Sequence, residues 1–461
     1  MTAASRVGAA LPTGYWNNSE MSEPLKIGIA GLGTVGAALV HVLVSRHALL
    51  ADACGRPIEI VAVSARDRER NRGIDLRAMQ WFDDPVEMAR TGEVDVLVEL
   101  IGGDDGPALG AVEAALGRGL HVVTANKALL ARHGVRLAKL AEEKGVLLNF
   151  EAAVAGGIPV IKAMRESLTG NRVSRVYGIM NGTANYILTT MEREGLTFEA
   201  CLKEAQRLGY AEADPTFDIE GHDTAHKLSI LTSLAFGTEI SADEIYLEGI
   251  SNISIEDIRA ADDLGYRIKL LGVAQRTDSG IEQRVHPTMV PKDSVIARVD
   301  GVTNAVAIES DVLGELIMSG PGAGGDATAS AVMGDIADIA KSRPGIQHGP
   351  ALGKPAAKLV PYKRAKMRSH EGGYFIRIIV QDKAGVFASL ARHMAENAIS
   401  LESIVQRAKH QSPAGTGRQT VVLVTHATTE ASVRAAVAAI QADGYVIGTP
   451  QVIRIERPKS A

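Results

Sequence analysis

The chain has 461 residues, 46% of them hydrophobic and 22% charged, with a formal net charge of -5. At roughly 150 residues per domain there is room for about three domains of ordinary globular composition. The slightly acidic balance gives no electrostatic case for nucleic acid or an anionic membrane surface. No apolar run reaches the roughly 20 residues that a membrane span requires. Cys54 and Cys201 lie far apart and form no CxxC pair, which reads as reduced thiols in a cytoplasmic protein.

Residues 1–23 lack the apolar core of a signal peptide. Met21 stands just before the first strand-like run, so this segment is either a flexible leader or precedes the true start. "LKIGIAGLGTVGAALVHVLVSRH", from residue 25, reads as a buried strand, a glycine turn and a helix. "IEIVAVSARD" (58–67), "VDVLVELIGG" (94–103) and "HVVTANK" (121–127) read as further strands with helical stretches between them. "GVLLNFEAAVAGGIP" (145–159) adds a strand and a loop. Strands alternating with helices predict βαβ units, so 24–150 reads as an α/β, Rossmann-type nucleotide-binding domain.

From 151 to 320, amphipathic helices such as "FEACLKEAQRLG" mix with strands such as "RVSRVYGIM", the pattern of an α+β domain. "SGPGAGGDATASAVMGDIADIA" (319–340) is a glycine-rich loop leading into a helix, and 321–345 reads as a helix returning to the nucleotide domain. Pro344, Pro350, Pro355 and Pro361 then fall among many Lys and Arg, so 346–369 reads as a solvated linker. The tail, 370–461, restarts in βαββαβ order, a small ferredoxin-like domain able to bury its own core.

Gly31, Leu32, Gly33, Thr34, Val35 and Gly36 spell "GLGTVG". The G-x-G-x-x-G pattern alone is weak, but here it follows a strand and opens a helix, the context a dinucleotide site requires. The first glycine permits the turn, the second lets the pyrophosphate approach, and the third allows close helix–strand packing. At the end of the second strand an NAD enzyme wants an acid for the ribose. This chain reads "VSARDRER", with Arg66 at the strand end and Asp67 just after. An Arg can hold a 2'-phosphate bidentately, which favours NADPH over NADH. Arg66 as a plain surface residue is the other reading.

"GYAEADPTFDIEGHDTAHK" (209–227) gathers two Glu, three Asp, two His and one Lys ahead of the apolar "LSILTSLAFG". On a helix Glu220, Asp223 and Lys227 share one face. A surface Asp–Lys pair would mean little. The apolar continuation predicts a mostly buried helix, where a Lys kept by an Asp is a proton donor in waiting. His222 and His226 have zinc-like spacing but no third ligand, so packing is the simpler reading. Lys127 ends "HVVTANK" at the C-terminal end of a predicted parallel strand, which faces the ligand crevice; a surface Lys at a helix start is the alternative.

These stretches, with "NFEAAVAGGIPVI", "GIMNGTANYIL" and "GPGAGGDATASAVMGDI", together resemble homoserine dehydrogenase of the bacterial type with a C-terminal ACT domain. The resemblance runs from about residue 24 to the end. It implies reversible reduction of aspartate 4-semialdehyde to homoserine with NADPH or NADH, in threonine, methionine and isoleucine biosynthesis. By the family's pattern Lys227 is the proton donor, Lys127 the second lysine at the carbonyl, and Asp223 the acid that holds substrate and Lys227. Glu212 takes the substrate ammonium with Gly209 beside it, and Gly324 lines the cofactor. "EAAVAGGIP" matches a Na⁺ or K⁺ site, with Glu151 and the carbonyls of Val154, Gly156 and Ile158 as ligands; read as residues alone it is only a glycine loop. The tail implies threonine as effector and a homodimer or homotetramer, although Ala384 replaces the usual Pro before Gly385.

Two other classes compete. Another ACT-tailed dehydrogenase would show a catalytic His with an Arg for a substrate carboxylate. A non-catalytic amino-acid sensor would have lost the set Lys127, Asp223 and Lys227, which this chain keeps.

Overall fold

The computed structural model describes residues 23–342, 349–365, 371–406 and 417–456. The leader through residue 22 and parts of the predicted linker lie outside the described residues. Strands β1 (Leu25–Ala30), β2 (Ile58–Ser64), β3 (Gln80–Phe82), β4 (Val96–Glu99), β5 (His121–Thr124) and β6 (Leu148–Asn149) form a parallel sheet. Their order is β3-β2-β1-β4-β5-β6. Val96, Leu97 and Val98 are fully buried, as strands covered on both faces must be. The order reverses between β1 and β4, which opens a ligand crevice at the carboxyl ends of the strands. The helix Gly325–Lys341 returns to this sheet from late in the chain. Its Ala329, Val332 and Ile336 pack with Leu39, Val40 and Leu43 of the helix Thr34–Ser45.

A second sheet holds β7 (Val173–Ile179), β8 (Tyr246–Leu247), β9 (Tyr266–Thr277), β10 (Gly280–Pro291), β11 (Thr303–Ser310) and β12 (Gly314–Pro321). The tail adds β13 (Glu371–Gln381), β14 (Leu401–Gln406), β15 (Arg418–Thr425), β16 (Thr428–Thr429) and β17 (Gln451–Ile455). Nine of them run β12-β11-β7-β9-β10-β17-β13-β15-β14, with β8 on β10 and β16 on β13. β9 and β10 make a long hairpin, nearly all of β10 being buried. The helix His222–Phe236 lies on β7, β9 and β10, so the sheet is the floor under the acid-and-lysine stretch.

The tail has the expected βαββαβ order and its own core of Tyr374, Ile376, Ile378, Leu390, Leu423 and Ile440. It does not restart as a separate body. β17 lies parallel to β10, Arg454 opposite Thr288 and Ile455 opposite Met289. Phe375, Ile453 and Ile455 join the core of the preceding domain. The physical reason is that Phe375 of β13 and Ile453 and Ile455 of β17 face away from the tail's own core and need a second apolar partner. Arg377 reaches the fully buried Asp257 at 2.5 and 2.9 Å, and Glu456 meets Arg175 at 2.8 Å.

The predicted solvated linker is also corrected where it is described, over 349–365. Its Leu352 is 1% exposed. The Ala356 N–H donates to the Glu142 carboxylate, and Val360 and Arg364 bridge to Thr238 and Ile281. Prolines here fix a docked strap rather than free a tether. Among the described residues no single helix is long and apolar enough to cross a membrane.

Candidate active site

The glycine turn sits where β1 meets the helix Thr34–Ser45. A Cβ on Gly36 would lie 2.0 Å from the Gly31 carbonyl oxygen, so only glycine lets this helix start so close to the strand. A Cβ on Gly33 would meet nothing within 4 Å; that open side leaves room for a pyrophosphate at the helix N-terminus. These features fit a dinucleotide. Beyond β2, one oxygen of Asp67 is taken up by the loop that follows. Its carboxylate accepts the N–H groups of Glu69 and Arg70. Arg66 is exposed, and Arg72 is the arginine that touches the turn, donating to the carbonyls of Leu32, Asp67 and Arg70. Arg68 and Arg72 both lie 5.8 Å from the Trp81 ring centre.

A cavity of about 650 Å³ opens where the two sheets meet. The nucleotide side contributes Val35, Leu100, Ile101, Gly102 and Lys127, and the far side Gly209, Glu212, Asp218, Asp223 and Lys227; Gly156 and Gly324 close it. Lys127 is the first residue of the helix Lys127–Lys144, set there by Asn126, whose side chain accepts the Leu129 N–H at 3.1 Å. Asp223 opens the helix His222–Phe236 and is 6% exposed. The two lysines reach its carboxylate from opposite oxygens, Lys227 Nζ at 2.7 Å and Lys127 Nζ at 3.2 Å. Lys227 also donates to the Met180 carbonyl at 2.7 Å. An ammonium has three N–H groups; two of those on Lys227 are engaged, and the third is left for the cavity.

Burial alone would raise the Asp223 carboxyl, but Lys227 and Lys127 outweigh it and hold the group well below the usual carboxylate range. Asp218 is pushed up by burial and by the charge of Asp223. Burial and Lys127 push the His226 imidazole down, so it is neutral at neutral pH. His222 stacks on Phe217 and His226 meets the same ring edge-on. Among the described residues there is no cluster of three or more His, Cys, Asp or Glu suited to a metal.

Glu220 departs from the one-face expectation. It ends a separate short helix, Thr216–Ile219, and Gly221 at φ 87° breaks the chain before His222. Its carboxylate accepts a hydrogen bond from Ser251 instead. Glu151 is 3% exposed and accepts the Ile161 and Lys162 N–H groups at 2.8 and 2.9 Å. It lies outside the cavity, as do Val154 and Ile158, while Gly156 is on the wall. One carboxylate with backbone carbonyls would, as ligands, suit a monovalent cation better than a divalent one, although the Ile158 carbonyl already accepts the Val160 N–H at 2.8 Å. Ala155 and Gly156 both adopt positive φ, 58° and 57°, and a Cβ on Gly156 would strike the Gly322 backbone.

The cavity thus unites Lys127, Asp223, Lys227, Gly209, Glu212, Val35 and Gly324. Gly31, Leu32, Gly33, Thr34, Gly36 and Arg66 lie off its wall. Sequence reasoning gave no role to Asn181, which the structure places between Asp218 and Asp223. Asn directly before the helix start "GTANYIL" was a usable N-cap signal. Glu99, also without a role in the sequence, ends β4 fully buried, taking the Ile101 and Gly102 N–H groups and the Thr124 hydroxyl.

Two family models match this chain: "Homoserine dehydrogenase, NAD binding domain" over residues 31–151 and "Homoserine dehydrogenase" over 159–337. Among curated relatives, homoserine dehydrogenase of Pseudomonas aeruginosa is 45% identical across 94% of this chain and 99% of its own. That of Neisseria gonorrhoeae is 44% identical across 94% and 99%. The crystal structure of a homoserine dehydrogenase from Thiobacillus denitrificans superposes with a TM-score of 0.88 at 42% identity, over 95% of this chain and 99% of that one. A hyperthermophilic archaeal homoserine dehydrogenase in complex with NADPH matches with a TM-score of 0.59 at 29% identity, over 68% of this chain and 96% of its own. The match is nearly end to end, and it runs through every stretch that builds the cavity: the chain belongs to the homoserine dehydrogenase family.

Proposed function

We propose that this cavity carries out the family's reaction, reversible reduction of aspartate 4-semialdehyde to homoserine, with NADPH as the preferred cofactor. The observation that carries the reading is the convergence of Lys127 and Lys227 on one buried, ionised Asp223. When bound, the nicotinamide supplies the hydride to the aldehyde carbon. As the carbonyl opens, negative charge gathers on its oxygen, and a cation fixed there stabilises it. Lys227 hands that oxygen a proton with its free N–H, and Lys127 adds a second positive group beside it. In the reverse direction neutral Lys227 takes the proton back. Asp223 keeps both lysines in place. Glu212, on the wall beside Gly209, receives the substrate ammonium.

Gly31 to Gly36, Lys127 and Gly324 would hold the cofactor, and Arg66 would meet its 2'-phosphate. Support for NADPH comes from the Arg-rich segment after β2, with Arg66, Arg68, Arg70 and Arg72 around Asp67. A Na⁺ or K⁺ at Glu151 and the carbonyls of Val154, Gly156 and Ile158 would stiffen the loop behind the cavity. We read 24–150 as the nucleotide domain, 151–320 as the catalytic and dimerisation domain, 321–345 as the returning helix, and 370–461 as an ACT domain that binds threonine. The assembly is a homodimer or homotetramer in the cytoplasm. The decisive assay is NADPH oxidation with and without aspartate 4-semialdehyde. No oxidation with that aldehyde, but oxidation with a 2-oxo acid, would move the chain to another dehydrogenase class. No oxidation with either would leave the sensor reading.

A further inference from the structure

We infer that Asn181 is a positioning residue for this reaction, its one amide holding Asp218 and Asp223 apart as two separate carboxylates beside the two lysines. The inference rests on the proposed roles of Asp223 and Lys227. Asn181 is 6% exposed and sits between β7 and the helix Gly182–Glu194. Its Oδ1 accepts the Ala184 N–H at 2.8 Å and so caps that helix. Its Nδ2 donates to Asp218 Oδ1 at 2.8 Å and to Asp223 Oδ2 at 2.9 Å. A side-chain amide has two N–H groups, and each serves a different carboxylate. The residue before it, Met180, holds Lys227 by its carbonyl. Two consecutive residues at the end of β7 therefore fix three charged groups.

The consequence follows from the crowding. Asp223 Oδ2 accepts from both Asn181 and Lys227. Without the amide, Asp218 faces Asp223 with no donor between them, and like charges so placed share a proton. A protonated Asp218 can donate to Asp223 Oδ2 and displace the Lys227 ammonium from that oxygen. The other ionisable groups facing the pair are Lys127, Glu212, His222 and His226. Burial and Asp223 already push Asp218 up.

A helix cap alone would explain Asn181 without any of this. Ser and Asp cap helices about as well as Asn, but Ser has one donor and ionised Asp none. Asn181→Ser and Asn181→Asp therefore separate the two roles. We expect Asn181→Ser to melt near the wild-type temperature, and Asn181→Asp, which sets a third carboxylate against the pair, to melt lower. We expect kcat to fall about 10- to 100-fold, the loss of a hydrogen bond to a charged group. The acid limb of the kcat/KM profile should move to higher pH, further in Asn181→Asp. Wild-type kcat with an unmoved acid limb overturns the inference. So does a loss of activity that follows the melting temperature and leaves the limb in place. Lys227→Ala, run alongside, tests the underlying reading: if it keeps wild-type turnover, the roles beneath the inference fail, whatever the Asn181 variants do.

Discussion

Replacing Lys227 with Ala tests the chemistry most directly. The substitution removes an ammonium that is 11% exposed and engaged by Asp223 and the Met180 carbonyl. Asp223 keeps Lys127 at 3.2 Å and Asn181 at 2.9 Å, so its charge is not abandoned. The stability cost is that of about one charged hydrogen bond, about 1.5–3 kcal/mol, and the protein still folds. Turnover suffers more. A positioned general acid contributes about 10²- to 10⁴-fold, and Lys127 remains to stabilise part of the oxygen's charge. The expected loss is therefore about 10³-fold in kcat, about 4 kcal/mol of barrier. Cofactor affinity should hold, because Lys227 lies on the far side of the cavity from the glycine turn. Steady-state NADPH oxidation gives the first quantity and a cofactor fluorescence titration the second. Turnover within about tenfold of wild type, a barrier change of only about 1.4 kcal/mol, would refute the assignment, as would loss of cofactor binding equal to the loss of rate.

Asp223→Asn leaves two ammoniums facing a neutral amide; we expect a drop of about 3–5 kcal/mol in unfolding free energy and a turnover loss comparable to that of Lys227→Ala. Arg66→Ala should narrow the NADPH-over-NADH preference, whereas Arg72→Ala, which unties the loop from the glycine turn, should raise KM for both cofactors; equal wild-type kcat/KM for the two would sink the first expectation. Asp335 is held by burial at a pKa of about 7. A raised folded pKa gives stability that is present below the ordinary carboxylate range and lost as pH rises through about 7. Asp335→Asn should therefore gain on wild type in melting temperature from about pH 5.5 to 8, and parallel curves would contradict this. Removing 346–461 should cost solubility and activity as well as any threonine response, because β10 loses its neighbour; a soluble, fully active fragment would show that β17 is dispensable.

The nucleotide domain was legible because each signal was local: an apolar run, three glycines, a helix start. Lys127, Asp223 and Lys227 were legible because helix spacing and strand ends place residues before any tertiary contact is known. Glu220 was misplaced because one glycine, Gly221, turns the chain through positive φ inside what reads as a continuous helix. Asn181 had no assigned role because its meaning depends on two carboxylates 37 and 42 residues away. The docked strap and the shared sheet stayed hidden for a similar reason. Proline content and a clean strand–helix period describe local stiffness, and say nothing of which edge a strand will take.

The insertion of β17 between β10 and β13 also sets a clock on biosynthesis. Roughly 160 residues separate β10 from β17 along the chain, and at about 5–20 residues per second a ribosome needs about 10–30 s to make them. Through that interval the end of β10 at Thr288 and Met289, which β8 and the strap leave uncovered, carries open edge N–H and C=O groups, the kind of template that recruits other chains. The last of the described strands is the one that completes the sheet beneath the helix His222–Phe236. A nascent chain stalled short of residue 451 would thus hold the whole reaction cavity in sequence, yet display an open edge, and quality control has a structural mark by which to tell the two apart.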